Sequence, residues 1–318
     1  MTATVRIATR ASELALRQAR IVQSALETAG VESELVTFKT VGDKKLDESL
    51  NSIGAKGLFT KELEDALAAG KVDCCVHSLK DLPTEMPDGL ALVAMLERED
   101  PRDVLVVNDR IVAESLDDLP RGSRVGTSSL RRRAQLLHHR SDLEVVELRG
   151  NVPTRLRKVD EGQVHAAILA AAGLKRLNVH QRIDACLEPP DWLPAAGQGV
   201  IAVEARTDDA RMRTLLTPLN HEPSAFAARA ERSLLAGLDG GCQVPIGALL
   251  MGDGADAVLH ALVSDLSGKH IIRGSVVIGA QSPEEAGAAL AARMRRDGAT
   301  GILATLREAT KIPSPQPE

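Results

Sequence analysis

Three groups of side chains in this sequence are placed where they could do chemistry. The first is Lys80-Asp81, just beyond the apolar run from Val72 to Ser78. A carboxyl group past a strand end can deliver a proton and then, ionised, stabilise a developing cation. The same residues also read as a helix start, because Asp81-Leu82-Pro83 offers a cap followed by proline. The second is Cys242, in Gly240-Gly241-Cys242-Gln243-Val244-Pro245. That is either a glycine-flanked turn exposing a thiol to a bound group or a small buried hydrophobe. The third is a set of arginines. Gly126-Thr127-Ser128-Ser129-Leu130-Arg131-Arg132-Arg133 follows a short apolar run and opens a helical pattern, so hydroxyls, helix-terminal amides and guanidinium groups coincide. Its plainer alternative is a capped helix whose arginines face water. Arg10 and Arg149 also follow strand patterns, Arg155 falls in the first turns of a helix, and Arg176 follows Gly173-Leu174-Lys175. Ligands of doubly wound sheets collect beyond the carboxyl ends of strands, so these positions imply a ligand bearing several carboxylates or phosphates.

Composition narrows what such a ligand could be. The net charge is −5, which argues against a general binder of nucleic acid or anionic membrane. Only Phe38, Phe59, Trp192 and Phe226 are aromatic, too few to build stacking platforms for bases. No stretch lacking Asp, Glu, Lys and Arg exceeds 13 residues, whereas a bilayer span needs about 20. The opening MTATVRIATRASE has no continuous apolar core of a secretory signal, so the expected compartment is the cytosol. Four cysteines cannot staple 318 residues, and Asp73-Cys74-Cys75-Val76-His77 lacks the spacing of a zinc site, so no metal is expected. His138-His139 read as surface residues.

At 318 residues the chain has room for two or three domains. Strand patterns at Thr4–Ala8, Leu35–Thr40, Val72–Ser78 and Leu90–Leu96 alternate with helical ones after Ser12 and Thr60. Residues 42–57 form a long polar connection suited to a flap. The charged segment from Glu97 to Asp103 reads as a linker. Beyond it, strands near Val104–Val107, Arg124–Gly126, Leu143–Leu148 and Ala166–Ala170 interleave with helices in a second α/β pattern. The proline-rich segment 189–194 precedes one more strand, Val200–Ala205, expected to rejoin the first domain. From about 222 a helix, three strands and a helix suggest a small α+β domain.

Taken together, eight segments in order resemble the porphobilinogen deaminase family: Arg6 to Arg10, Lys56 to Phe59, His77 to Pro83, Gly126 to Arg132, Leu148 to Asn151, Gly173 to Arg176, Leu193 to Gly199 and Gly240 to Gly247. The resemblance spans essentially the whole chain and is thinnest near its end. It implies an α/β protein with two doubly wound, periplasmic-binding-protein-like domains plus a small α+β C-terminal domain. The implied limits are 1–98 with 199–219, then 103–193, then 222–318. It also implies a hydroxymethylbilane synthase, a transferase that joins four porphobilinogen molecules head to tail with release of ammonia, in tetrapyrrole biosynthesis.

On the family pattern Asp81 is the catalytic carboxylate, and Cys242 carries a dipyrromethane cofactor through a thioether. Arg10, Ser12, Lys80, Thr127, Ser129, Arg131, Arg132, Arg149, Arg155 and Arg176 bind carboxylates of cofactor or substrate, Lys56 and Phe59 close from the flap, and Gln198 is a weaker candidate. The one departure is Ala55, where the family usually has a second glycine before the flap lysine. The family works as a monomer, without nucleic-acid or membrane partners. A noncatalytic binding protein for a multivalent organic anion is the main alternative, and a phosphate-binding nucleic-acid module a poorer one.

Overall fold

Strand β1 (Val5–Arg10) buries Val5, Ile7, Ala8 and Thr9, so both of its faces are covered and no polar alternation is needed. Helix α1 (Glu13–Thr28) follows. Its N-cap is Ser12, whose hydroxyl accepts from the Ala15 amide at 3.4 Å, and Ala19, Val22 and Leu26 form its buried stripe. The chain returns as β2 (Ser33–Phe38), parallel to β1. Helix α2 (Lys61–Ala68) buries Leu63, Ala66 and Leu67, and β3 (Cys74–Ser78) then runs parallel to β1 on its other side. Strand β4 is Leu90–Met95. This is a computed structural model that describes residues 4–40, 60–240 and 244–310.

A second sheet follows. Its elements are β5 (Asp103–Val107), β6 (Arg124–Gly126), α3 (Leu130–His139), β7 (Glu144–Val146), α4 (Val152–Asp160), β8 (Ala166–Ala170), α5 (Ala171–Arg176) and β9 (Ala185–Leu187). The strand order is β7-β6-β8-β5-β9, with β6 parallel to both neighbours and β5 antiparallel to both of its own. Strand β10 (Ile201–Arg206) then enters the first sheet, whose order becomes β2-β1-β3-β10-β4, and pairs antiparallel with β3 and β4. Helix α6 (Ala210–Leu216) adds Met212 and Leu216 to the core formed by Val5, Val22, Val76 and Val203. Helix α7 (Glu222–Gly237) leads to an antiparallel sheet of β11 (Ile246–Met251), β12 (Val258–Ser264) and β13 (Ile271–Val277). Helices α8 (Pro283–Met294) and α9 (Thr300–Thr310) complete the described chain.

Among the described residues the chain divides into two compact units. The first holds 4–40, 60–99 and 199–226, and the second holds 100–198, 227–240 and 244–310. The three-stranded sheet belongs to the second unit, where the amide of Ala248 in β11 donates to Pro194 O at 3.0 Å. Gly199, where the chain re-enters the first unit, has φ +91°, and a Cβ there would sit 2.2 Å from Glu99 O, so only glycine fits.

The elements differ from the sequence expectation in five places. No helix starts at Asp81, which ends a single 3₁₀ turn, Leu79–Asp81. Asp103, read as the end of a linker, is instead the first residue of β5 and fully buried. Strand β9 and helices α6 and α9 were not expected, the strand being too short to show a period.

Candidate functional site

Strand β3 ends at Ser78, and the next three residues coil once before the chain extends again at Leu82. The buried Leu79 anchors that turn: its amide donates to Val200 O at 3.0 Å, and the Leu82 amide donates to Leu79 O at 3.1 Å. Lys80 and Asp81, both partly exposed, therefore stand at the carboxyl edge of the first sheet. Arg10 ends the neighbouring parallel strand β1, and Ser12 starts α1 at the same edge. The structure thus brings Arg10, Ser12, Lys80 and Asp81 to one edge, with the Ser12 hydroxyl already serving as a helix cap.

The second unit repeats this arrangement. Parallel β6, β7 and β8 put Gly126, Val146 and Ala170 at one edge, and the connections leaving them carry most of the expected anion binders. A Cβ at Gly126 would meet Leu148 Cδ2 at 2.7 Å, so glycine lets the two connections approach. Thr127 is buried, with its hydroxyl accepting from the Ser129 amide at 3.1 Å, and Ser129 caps α3 through the Arg132 amide at 3.4 Å. Arg149 pairs with the exposed Glu147, Nη2 to Oε1 at 2.6 Å. Arg155, in α4 behind its Asn151 cap, donates from Nε to Gly150 O at 2.8 Å, and Arg176 ends α5. Solvent-rim pairs of the Arg149–Glu147 kind contribute about 0–1 kcal/mol, so a ligand carboxylate can replace Glu147 at little cost.

Arg131 and Arg132 differ from these. The two residues are 4% and 5% exposed, and their guanidinium groups converge on the carboxylate of Asp103, a residue that is 0% exposed. Arg131 Nη1 donates to Asp103 Oδ2 at 2.6 Å and to Leu193 O at 2.6 Å. Arg132 donates to Asp103 Oδ1 from Nε at 3.1 Å and from Nη2 at 2.7 Å, with Nη1 on Ile168 O at 2.9 Å. Trp192 Nε1 adds a bond to Oδ2 at 2.9 Å, and Gln198 Nε2 donates to Oδ1 at 2.8 Å and to Pro101 O at 2.8 Å. Burial alone would raise the Asp103 carboxyl, but the two arginine charges outweigh it and hold the group far below the ordinary carboxylate range. Two guanidinium groups against one carboxylate leave one positive charge in a desolvated place, and among the described residues neither arginine meets another carboxylate. Gln198, a weaker ligand candidate from sequence, contributes its amide nitrogen to this internal cluster.

Lys56, Phe59 and Cys242 lie outside the described residues. Of the described cysteines, Cys74 and Cys75 are fully buried on β3, as the strand pattern suggested. Sequence reading missed Asp103, Trp192 and the buried pair His77–Glu204. The available signal was an acidic residue at the start or middle of an otherwise apolar strand, Asp103 in DVLVV and Glu204 in IAVEAR, because a buried carboxylate demands a partner.

Residues 5–214 match the family described as "Porphobilinogen deaminase, dipyromethane cofactor binding domain", and residues 225–296 match "Porphobilinogen deaminase, C-terminal domain". The porphobilinogen deaminase of Moorella thermoacetica is 50% identical over 301 residues, covering 94% of this chain and 95% of the relative. Among solved structures, a double mutant of the BvgS VFT2 domain of Bordetella pertussis aligns with a TM-score of 0.42 at 17% identity, covering 67% of this chain and 85% of that one. The methionine-binding protein MetQ aligns with a TM-score of 0.42 at 16% identity, covering 68% and 89%.

Proposed function

Since this chain belongs to the porphobilinogen deaminase family, we propose that Asp81 is its catalytic acid and Cys242 the attachment point of its cofactor. The reaction is hydroxymethylbilane synthesis: four porphobilinogen molecules are condensed head to tail with loss of ammonia, in tetrapyrrole biosynthesis. The dipyrromethane cofactor supplies the primer on which the product is built. The carrying observation is that the two family matches span both residues, 5–214 including Asp81 and 225–296 including Cys242.

The donor set of the second unit fits a carboxylate-rich group. The charge left over on Arg131, Arg132 and Asp103 calls for an anion, Thr127, Ser129, Arg149 and Arg155 lie on the connections and helix starts that leave the same sheet edge, and Arg176 ends the helix that follows β8. These residues would hold the acetate and propionate groups of cofactor and chain, with Gln198 keeping Arg132 oriented through Asp103. In the first unit, Arg10, Ser12 and Lys80 would take substrate carboxylates around Asp81, and Lys56 and Phe59 would close over them. The Asp81 carboxyl passes its proton to the departing amino nitrogen as the C–N bond breaks. As carboxylate, it then faces the cation left on the pyrrole.

The proposed domain limits are 1–98 with 199–219, 103–193 and 222–318, a division supported by the three separate hydrogen-bonded sheets. The proposed working form is a cytosolic monomer acting without nucleic acid or membrane. The test is intact mass. The wild-type protein is expected to carry an adduct equal to two porphobilinogen units less two ammonia, and Cys242→Ala none. Asp81→Asn is expected to bind substrate without turnover, and normal turnover in that variant would remove the assigned role.

A further inference from the structure

Beneath the turn that carries Asp81 lies a buried polar pair for which the reaction has no direct use. His77 on β3 and Glu204 on β10 are 5% and 0% exposed, and His77 Nε2 lies 3.1 Å from Glu204 Oε2, where an N–H donates to the carboxylate. The two strands are antiparallel neighbours with Ala202 opposite His77 and Glu204 opposite Cys75, so the pair is the diagonal contact on one face. The register of β10 against β4 shifts between Val203 and Glu204, a bulge of the kind that re-aims a side chain.

Stability does not account for this pair. Glu204 Oε1 is buried with no hydrogen-bond partner, a condition that costs about 1–3 kcal/mol, and two apolar residues packed at these positions would avoid it. A metal ion at the pair would need the Cys75 thiol as its third ligand. Cys75, His77 and Glu204 place donor atoms within 4.8 Å of one another, but the Cys75 thiol donates to Leu63 O at 3.4 Å. Burial and the nearby Glu204 carboxylate push that thiol well above its ordinary value.

What the pair touches is the end of β3. His77 is followed by Ser78, whose hydroxyl lies 2.8 Å from Gln18 Nε2 and 3.2 Å from Gln18 Oε1, and then by Leu79, whose amide is fixed on Val200 O. Three consecutive residues are therefore clamped, by β10, by α1 and by Val200 just ahead of β10, immediately before Lys80 and Asp81. We infer that His77, Glu204 and Gln18 are positioning residues that fix the orientation of the Asp81 turn for the proton transfer. The inference rests on the assignment of Asp81 and adds no contact between these residues and substrate.

The test compares Glu204→Ala, Glu204→Gln and Gln18→Ala with Asp81→Asn, all purified as cofactor-loaded protein with the adduct checked by mass. A misplacement of about 1 Å at a reacting group costs about 100-fold in rate. Glu204→Ala and Gln18→Ala are accordingly expected to lower kcat by about 10- to 100-fold with KM within about 2-fold of wild type. Glu204→Gln, which keeps an acceptor for His77 Nε2, is expected to recover most of that loss. Wild-type kcat in loaded Gln18→Ala and Glu204→Ala overturns the inference while leaving Asp81 in place, provided Asp81→Asn is inactive. A loss carried by KM overturns it too, as does one zinc ion per chain that Glu204→Ala removes. If Glu204→Ala fails to fold, Gln18→Ala and Glu204→Gln decide alone, the first by its kcat and the second by remaining near wild type. Normal turnover in Asp81→Asn instead defeats the underlying assignment.

Discussion

Arg131 and Trp192 bond to the same oxygen, Oδ2 of Asp103, at 2.6 and 2.9 Å. Arg132 and Gln198 take the other oxygen, so a single buried carboxylate organises both arginines that open α3. Asp103→Asn leaves two desolvated guanidinium groups without a counter-charge. It is expected to destabilise the protein by about 3–5 kcal/mol, read from urea midpoints, because breaking a buried pair strands the remaining charge. A change below about 1 kcal/mol would mean that the cluster relaxes on to water.

The same cluster sets an acid limit. Burial opposes ionisation of Asp103, but Arg131 and Arg132 hold its folded-state value below the unfolded value of about 3.9. Asp100 is likewise held low despite burial by Arg102 and Lys175. As pH falls below about 4, the unfolded state takes up protons first, so the stabilisation present above that pH is lost progressively toward the lower folded values. Urea midpoints measured from neutral pH downward are expected to stay level to about pH 5 and then drop, with a shallower drop in Asp103→Asn. An equally steep fall in that variant would assign the acid limit elsewhere.

Sequence reading and structure agree where an element's cause is local. The stripe Ala19, Val22, Leu26 and the Ser12 cap identify α1 because both signals lie within the helix. Strand β10 was placed in the first sheet from its position after the proline-rich segment, and it pairs there with β3 and β4. The Asp81 turn was legible as a motif, but its local cap signal pointed to a helix that does not form. The bond from the Leu79 amide to Val200 O, far along the chain, overrides that signal. Asp103 carried a signal, a carboxylate opening an apolar strand, but its partners lie at 131, 132, 192 and 198, and its place at the end of a charged run hid that signal. The arginines were read from sequence as one anion-binding set, which gave no sign that Arg131 and Arg132 are engaged internally by Asp103.

Thiol chemistry gives an independent check. Burial pushes Cys74 up to about 12 and Cys75 well above its ordinary value, and Cys186 is raised as well. A thiol reagent at pH 8 is expected to leave Cys74 and Cys75 untouched in the native protein. In denaturant, cofactor-loaded protein should report one thiol fewer than the four of the sequence, and apoprotein all four. Four thiols in loaded protein would exclude a thioether at Cys242.

Two glycines separate backbone strain from crowding. Gly30 (φ +75°) has nothing within 4 Å of an added Cβ, whereas Gly199 combines φ +91° with the 2.2 Å approach to Glu99 O. Gly30→Ala should cost about 1 kcal/mol and Gly199→Ala about 3 kcal/mol or more, compared by thermal unfolding. Equal losses would show that the Glu99 carbonyl yields.

The place of β10 in the middle of the first sheet has a consequence for biosynthesis. The Asp81 turn and its β3 anchor leave the ribosome early, yet Val200 and Glu204 emerge only after all of residues 100–198. Until then the edge of β3 lacks its hydrogen-bonding neighbour and His77 lacks its carboxylate. Closing so long a loop is slow, so the nascent chain must carry an unfinished sheet while its second unit is being made.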